Sequence, residues 1–235
     1  MNNKRIIFTA LLTIGIGFTL LNVTNAFDSN ITKKDVTKPD STSINNSNQV
    51  VFSKETDHKI VSTTGLFDKL FDNMNSMFVA SDIVAEVEVN EQDVRQTEAF
   101  DAETRSKVII VKLFRGDPYL EEALVVEIGG PVNKSKGESP TTIESALEGV
   151  PVMKKGNSYI VFLRKSPPVT GVTGLENGFY SIQGSVQGKI KLDKEKNIAV
   201  ATVDPSIINE EIHFFQKMFA GKDINLLEDE INKLK

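Results

Sequence analysis

The chain has 235 residues with 27 basic and 32 acidic side chains, and it contains no cysteine. The lack of cysteine excludes disulfide bonds, a lipid-modified N-terminal cysteine and a cysteine nucleophile. The acidic balance, without any dense basic block, argues against nucleic acid and anionic lipid as partners, because both attract basic patches.

Residues 1–26 have the pattern of a secretory signal peptide. Lys4 and Arg5 precede an apolar run of 16 residues, and small and polar residues follow as far as Ala26. A membrane-spanning helix needs about 20 apolar residues, so we expect cleavage after Ala26. The remaining 209 residues would carry a net charge of −7 and lie outside the cytoplasm. The alternative is an uncleaved anchor that holds the chain at the outer face of the membrane.

The segment 27–60 is rich in Ser, Thr, Asn, Asp and Lys and poor in apolar residues. Too little apolar surface is available there to offset the entropy of ordering, so the composition predicts a disordered spacer. Residues 61–235 are then predicted to form a single domain. An exported chain without cysteine, stabilised by its core alone, is typical of Gram-positive bacteria.

The first element of the predicted domain is an amphipathic helix over residues 65–78. Apolar residues recur there at steps of three and four, which is the period of one helical face, and we expect this face to pack in the core. The residues of the stripe are Leu66, Phe67, Leu70, Phe71, Met74, Met77 and Phe78.

Beyond this helix the pattern is typical of β-structure. Seven short runs are rich in β-branched and alternating apolar residues, and glycines separate them. Glycines between short strands favour a strongly bent or closed antiparallel sheet, so we predict a small OB-like barrel of six or seven strands. The runs are 83–89, 107–114, 123–128, 158–163, 178–184, 187–192 and 198–203.

Two helices are predicted after the strands. Asp204 and Pro205 favour a helix start, apolar residues from Ile208 to Phe219 follow at helical spacing, and Gly221 ends the helix. Asp223 is predicted to cap the next helix. The fold class is therefore α+β and mainly β, with one helix before the barrel and two after it.

Four short segments carry a resemblance to a known family: residues 81–84, 111–116, 156–163, and 178–180 with 187–188. In their order and spacing they resemble a family of poorly characterised secreted bacterial domains, over about half of the chain. More remotely, the order is similar to the OB-type barrels of netrin-like domains and tissue inhibitors of metalloproteinases. Those inhibitors reach the protease zinc through an N-terminal cysteine, which this chain lacks. The resemblance therefore implies a fold and a style of binding, and no site residue.

The two histidines give no catalytic pattern. A His-rich zinc site needs more than His58 and His213, and His213 is interpreted as a helix residue at the edge of the core. The glycine-rich stretch 184–188 lacks the serine spacing of a nucleophile elbow, and the flanking strands favour a hairpin around Ser185. We therefore predict no catalytic or cofactor-binding residues.

Acidic residues occur in pairs that are interpreted as solvated faces and turns. Asp193, Glu195 and Asn197 alternate as calcium ligands do, but the glycine and distal glutamate of an EF-hand loop are missing, so a polar turn is expected and no metal site is predicted. The other pairs are Glu86 with Glu88, Asp101 with Glu103, Glu121 with Glu122, and Glu210 with Glu211.

The segment 129–156 is the predicted functional region. It contains three prolines and would be a loop of 28 residues, where strands are usually joined by about 2 to 6. A short helical turn is expected at Ile143, Ala146 and Leu147. Such long loops are often functional, although a tolerated surface insertion is an equal alternative.

The sequence thus predicts a secreted, non-enzymatic module that binds an extracellular protein or a surface polymer through barrel loops. It needs no cofactor, and it would contact a membrane only if residues 1–26 were retained. The alternatives are an extracellular hydrolase that uses Asp and Glu residues, and a membrane-tethered structural protein.

Overall fold

The computed structural model describes residues 59–65, 69–96, 101–134, 141–203 and 205–235. All of them belong to the second of the two units into which the chain divides, Asn46–Lys235. The predicted signal peptide, most of the predicted spacer and His58 lie outside the described residues. In the described ranges, no helix has the length and apolar character needed to cross a bilayer.

These residues form nine strands and three α-helices. The strands are β1 Lys59–Thr63, β2 Ile83–Arg95, β3 Glu103–Arg115, β4 Glu122–Lys134, β5 Thr141–Leu147, β6 Ser158–Ser166, β7 Phe179–Ile182, β8 Lys189–Asp193 and β9 Ile198–Val200. The helices are α1 Met74–Ala80, α2 Phe214–Phe219 and α3 Ile224–Asn232, with a 3₁₀ turn at Pro205–Ile207. The mainly β character and all seven predicted strands are confirmed, while β1 and β5 were not predicted.

All nine strands belong to one sheet. Eight follow the order β1-β5-β4-β3-β2-β6-β8-β9, and β7 pairs with both β4 and β6. The pairs are antiparallel except for β1 with β5 and β4 with β7, which are parallel. The strands β2 and β3 stay paired along their whole length, from Val84 opposite Arg115 to Arg95 opposite Glu103.

The central strands are buried on both faces. Alternate residues of β6 enter two different apolar clusters: Ile160 and Phe162 pack with the helices, and Tyr159, Val161 and Leu163 pack against β2, β3 and β4. Successive side chains of a strand point to opposite faces, so a strand with a core on each side needs a continuous apolar run.

The segment 129–156 is not a long loop, and the predicted helical turn is wrong. Strand β4 continues through Gly129 and Gly130 to Lys134 and pairs with β5, which contains Ile143, Ala146 and Leu147. Both glycines have positive φ, 116° and 127°. Because glycine adopts these angles without strain, β4 bends there instead of ending, and its second half leaves β3 to pair with β5.

The helix predicted at 65–78 begins later than expected. Asn73 caps α1, and its side chain accepts a hydrogen bond from the Ser76 N–H. Ahead of it, the Gln187 side chain bonds both the N–H and the C=O of Phe71, which satisfies backbone groups that a helix would otherwise pair. The prediction that the stripe packs in the core is confirmed for Phe71, Met74, Met77 and Phe78 and is wrong for Leu70, which is exposed; Leu66 and Phe67 lie outside the described residues.

The first of the two predicted C-terminal helices is also shorter than expected. The Asn209 side chain accepts hydrogen bonds from the N–H groups of Glu211 and Ile212, and this local turn replaces the helix until α2 starts at Phe214. The predicted cap of α3 is confirmed, since the Asp223 side chain accepts a bond from the Asn225 N–H.

Candidate functional site

The candidate site lies where the β2–β3 pair extends beyond β6. Strand β6 pairs with β2 only as far as Glu88, whereas β2 continues to Arg95 alongside β3. A cleft of about 280 Å³ lies between this projecting ribbon and the connection 167–178. We call it the ribbon cleft, and its lining residues are Glu91, Gln92, Asp93, Arg95, Arg105, Lys107, Leu124 and Gly174.

Two arginines of the ribbon cleft converge on one backbone oxygen. The Nη1 atoms of Arg105 and Arg95 donate hydrogen bonds to the Thr173 carbonyl oxygen, at 2.5 and 3.2 Å. Arg105 is 7 % exposed, so its guanidinium is largely desolvated. Hydrogen bonds from a charged donor are stronger than neutral ones, and these two hold the connection 167–178 against the ribbon.

Each of these arginines is fixed by carboxylates of the same ribbon. Arg105 Nε bonds Glu103 at 2.7 Å and Arg95 Nε bonds Asp93 at 2.7 Å. The register also places Arg95 opposite Glu103 and Asp93 opposite Arg105. Opposite charges that face each other across an antiparallel pair stabilise it. The four side chains therefore form a neutral cluster that orients the Nη groups toward the connection.

A third ion pair lies beside this cluster. Lys107 Nζ is 2.9 Å from a carboxylate oxygen of Glu122, and this hydrogen bond raises the pKa of Lys107 above its usual value of 10.5. Lys107 therefore stays protonated and paired at neutral pH. The charged residues that line the cleft, together with their ion-pair partners, have a formal net charge of −1. They are the cations Arg95, Arg105 and Lys107 and the carboxylates Glu91, Asp93, Glu103 and Glu122.

The ribbon is supported from behind by the segment 151–155. The Gln92 side chain donates to the Met153 carbonyl and accepts from the Lys155 N–H. That segment is in turn held by Lys189, whose Nζ lies 2.6 Å from both the Pro151 carbonyl and the carboxylate of Glu127. These contacts keep the ribbon in place, and so they position the arginines.

A second cleft, of about 300 Å³, lies between β4 and β7, just beyond their single pair at Val125 and Tyr180. Its charged side chains are Lys69, Glu127 and Arg164. Both oxygens of Glu127 are used, one by Lys189 and the other by the Met153 N–H. A carboxylate held in this way is a structural anchor and is poorly suited to transfer a proton.

The two residues considered as catalytic in the sequence have structural roles. His213 is buried, its Nδ1 accepts a bond from the Asn209 N–H, and its Nε2 donates to the Glu148 carbonyl. Burial lowers the pKa of His213 below its usual 6.5, which keeps the ring neutral. Ser185 lies between two strands, as predicted. The expected hairpin is wrong, because β7 and β8 do not pair with each other and instead follow one another along β6.

The paired carboxylates do not converge on one site. Glu86 is buried and bound to Lys194 at 2.7 Å, so the prediction that it is solvated is wrong, whereas Glu88 is exposed as predicted. Of the other pairs, Glu103 and Glu122 each contact a lining residue of the ribbon cleft, Arg105 and Lys107 respectively.

The predicted polar turn at residues 194–197 is confirmed as the connection between β8 and β9. Asp193 accepts a bond from the Lys196 N–H, and Asn197 donates to Asp223. Within the described ranges, no group of three or more acidic or histidine side chains is arranged to hold a metal ion.

The arginines of the ribbon cleft were not identified from the sequence. A usable signal was present, because an acid and a base alternate at Asp93 and Arg95, after the run 83–89, and again at Glu103 and Arg105, before the run 107–114. If two such runs form a hairpin, these charges face each other. The contact with Thr173 is 68 residues away from Arg105 along the chain, and local spacing carries no sign of it.

Comparison of the chain with protein-family models, curated proteins and solved structures finds no match.

Proposed function

We propose that this protein is an extracytoplasmic, non-enzymatic binding module that engages an extracellular protein or a surface polymer through the ribbon cleft. The observation that carries the proposal is the convergence of Arg95 and Arg105 on one acceptor oxygen beside an open cleft. Hydrogen-bond donors held in place before the ligand arrives lose little conformational freedom on binding, which favours affinity.

The strand pairings support an OB-type barrel as the fold of this module. Strand β2 pairs with β3 and β6, β3 pairs with β4, and β7 pairs with both β4 and β6. Followed in order, these five strands return to their starting point, and only the contact of β4 with β7 is parallel. In OB-type barrels, ligands bind across strands of the barrel face and the loops beside them, and the ribbon cleft occupies a comparable place.

The location rests on the N-terminal pattern. The basic residues, the apolar run and the small residues before Ala26 support export, and a chain without cysteine needs no oxidative folding to work outside the cell. Intact-mass measurement of the protein from culture medium tests this, since export with cleavage predicts a chain that begins at Phe27.

Binding is tested by affinity capture with the mature chain and two matched variants. The secreted, wall and membrane fractions of the source cells are passed over immobilised wild type, Arg105→Gln and Arg115→Gln. Arg115 lies on the same strand and also donates to a carbonyl, from Nε to that of Ser81 at 2.8 Å, but it is at the opposite end of β3 from the cleft. The proposal expects a partner that wild type and Arg115→Gln retain and Arg105→Gln loses. Equal retention by all three proteins would exclude the ribbon cleft as the binding surface.

A further inference from the structure

The connection 167–178 shows to which chemical group the arginines of the ribbon cleft donate hydrogen bonds. Thr173 presents a neutral peptide carbonyl to Arg95 and Arg105, and the next residue, Gly174, lines the cleft. Thr173 and Gly174 are both exposed, so the acceptor lies at the surface, although the Arg105 side chain that binds it is buried. The segment 172–174 is thus a short stretch of polypeptide that is bound to the ribbon by its backbone.

The charges of the site favour a neutral acceptor over an anion. Asp93 and Glu103 already compensate the two guanidiniums, and Glu122 compensates Lys107. An added carboxylate or phosphate would meet these carboxylates, together with Glu91, at a site with a formal net charge of −1, and like charges at short distance repel. A peptide carbonyl offers a strong acceptor without that repulsion.

Leu175 is buried, and backbone hydrogen bonds within 169–178 hold the base of the connection. Thr173, in contrast, is held to the ribbon by the two arginine hydrogen bonds, so Thr173 and Gly174 can leave the ribbon without unfolding the rest. Gly174 has a φ of +87°, and its N–H is bonded to the Glu176 side chain at 2.6 Å within the same turn. Arg95 is 39 % exposed, so its bond to Thr173 competes with water. Val89 is bonded through its backbone to Gly156 and Asn157, but beyond it none of the described strands pairs with β2 on the side away from β3, so backbone groups there are available to an extended ligand, as in peptide recognition by strand addition.

We propose that the ribbon cleft is a binding site for an extended polypeptide segment, and that Thr173 and Gly174 of the connection 167–178 occupy part of it and are displaced when the ligand binds. This inference rests on the proposed binding function and names its ligand class. In the bound state the guanidiniums of Arg95 and Arg105 donate to a carbonyl of the ligand in place of Thr173. The Nε bonds to Asp93 and Glu103 stay in place, so the donors need no rearrangement.

The test uses the capped, uncharged peptide of residues 168–175, Pro-Val-Thr-Gly-Val-Thr-Gly-Leu, added to the isotope-labelled mature protein. Amide signals of Thr173 and Gly174 and the Nη–H signals of the two arginines report the displacement, while the Nε–H signals should stay in place. We expect saturable shifts with the peptide. Sodium acetate and inorganic phosphate at equal ionic strength should leave these signals in place.

Two variants sharpen the test. Arg105→Gln should weaken peptide binding at least tenfold, and Arg115→Gln should leave it unchanged. Gly174→Ala places a side chain at a φ that only glycine adopts easily, about 3.5 Å from Arg105 Nη1. This weakens the internal contact, so a larger fraction of the protein has a vacant site and the apparent affinity should rise severalfold. A rise with Gly174→Ala and a loss with Arg105→Gln cannot both result from general destabilisation.

The inference is overturned if acetate or phosphate causes the shifts, if the peptide causes none, or if Gly174→Ala fails to increase affinity. These results can be distinguished from a failure of the proposed binding function. A captured partner that depends on Arg105 while the peptide does not bind would leave the binding module standing and remove the polypeptide ligand class.

Discussion

The buried ion pair between Lys189 and Glu127 gives the sharpest test of the structure. Their side chains are 2 % and 5 % exposed, and Lys189 Nζ lies 2.6 Å from the Glu127 carboxylate and 2.6 Å from the Pro151 carbonyl. Replacing Lys189 with Met leaves a buried carboxylate without its counter-charge. Removing one partner of a buried ion pair lowers the free energy of unfolding by about 3–5 kcal/mol. The total free energy of unfolding of a single domain is about 5–15 kcal/mol.

Urea unfolding followed by circular dichroism measures this loss. With a slope of about 2 kcal/mol per molar urea, Lys189→Met should lower the midpoint by about 1.5–2.5 M. The double variant Lys189→Met with Glu127→Gln removes the unpaired charge and keeps an acceptor for the Met153 N–H, so it should recover at least about 2 kcal/mol. A loss below about 1 kcal/mol for Lys189→Met, or a double variant no more stable than the single one, would refute the reasoning.

Three further predictions concern single residues. Because burial lowers the pKa of His213, the unfolded chain binds a proton more readily, so stability should be full above pH 6.5 and fall as the pH drops below it; His213→Gln should flatten this dependence in urea titrations at several pH values. Gly129→Ala places a Cβ 2.5 Å from the Ser145 carbonyl and should cost about 2–4 kcal/mol, whereas Gly156→Ala meets no atom within 4 Å and should cost only about 1–2 kcal/mol for its positive φ; equal losses would contradict the bend in β4. Asp223→Ala removes the cap of α3 and should lower stability by about 1 kcal/mol in the same assay, and no change would mean that the cap is not formed.

The strands could be predicted because the order of apolar and polar residues in a strand reflects which of its faces are buried. The run 159–163 is apolar at every position, and it is buried on both faces of β6. The same pattern does not show whether a glycine bends a strand or ends it. Gly129 and Gly130 look like the end of a strand in sequence, yet their positive φ angles carry β4 onward to pair with β5. The second half of β4 therefore appeared as a loop.

Helix boundaries were predicted less well because distant side chains decide them. The backbone of Phe71 is bonded by Gln187, 116 residues further along the chain, so the apolar spacing before Met74 does not become a helix. Similarly, the Asn209 side chain accepts a hydrogen bond from the Glu211 N–H, so no α-helix forms there before α2. Local spacing predicted which of these residues are buried, and it could not predict which backbone groups were already bonded.

The candidate site depends on register and on a long-range contact. The pairing of Asp93 with Arg105 depends on where β2 ends and β3 begins, because the register is constant from Arg95 opposite Glu103 to Glu91 opposite Lys107, and the apolar pattern does not extend to these ends. The approach of Thr173 depends on the path of the connection between β6 and β7. No spacing rule predicts that path.

The central claim is that Arg105 presents hydrogen-bond donors to a ligand in the ribbon cleft. It is tested most directly by equilibrium binding of the captured partner to wild type, Arg105→Gln and Arg115→Gln, with each variant first shown to unfold cooperatively. Loss of a charged hydrogen bond is worth about 1.5–3 kcal/mol, so Arg105→Gln should weaken binding about 10- to 150-fold while Arg115→Gln binds as wild type does. Equal affinities for the three proteins would contradict the account.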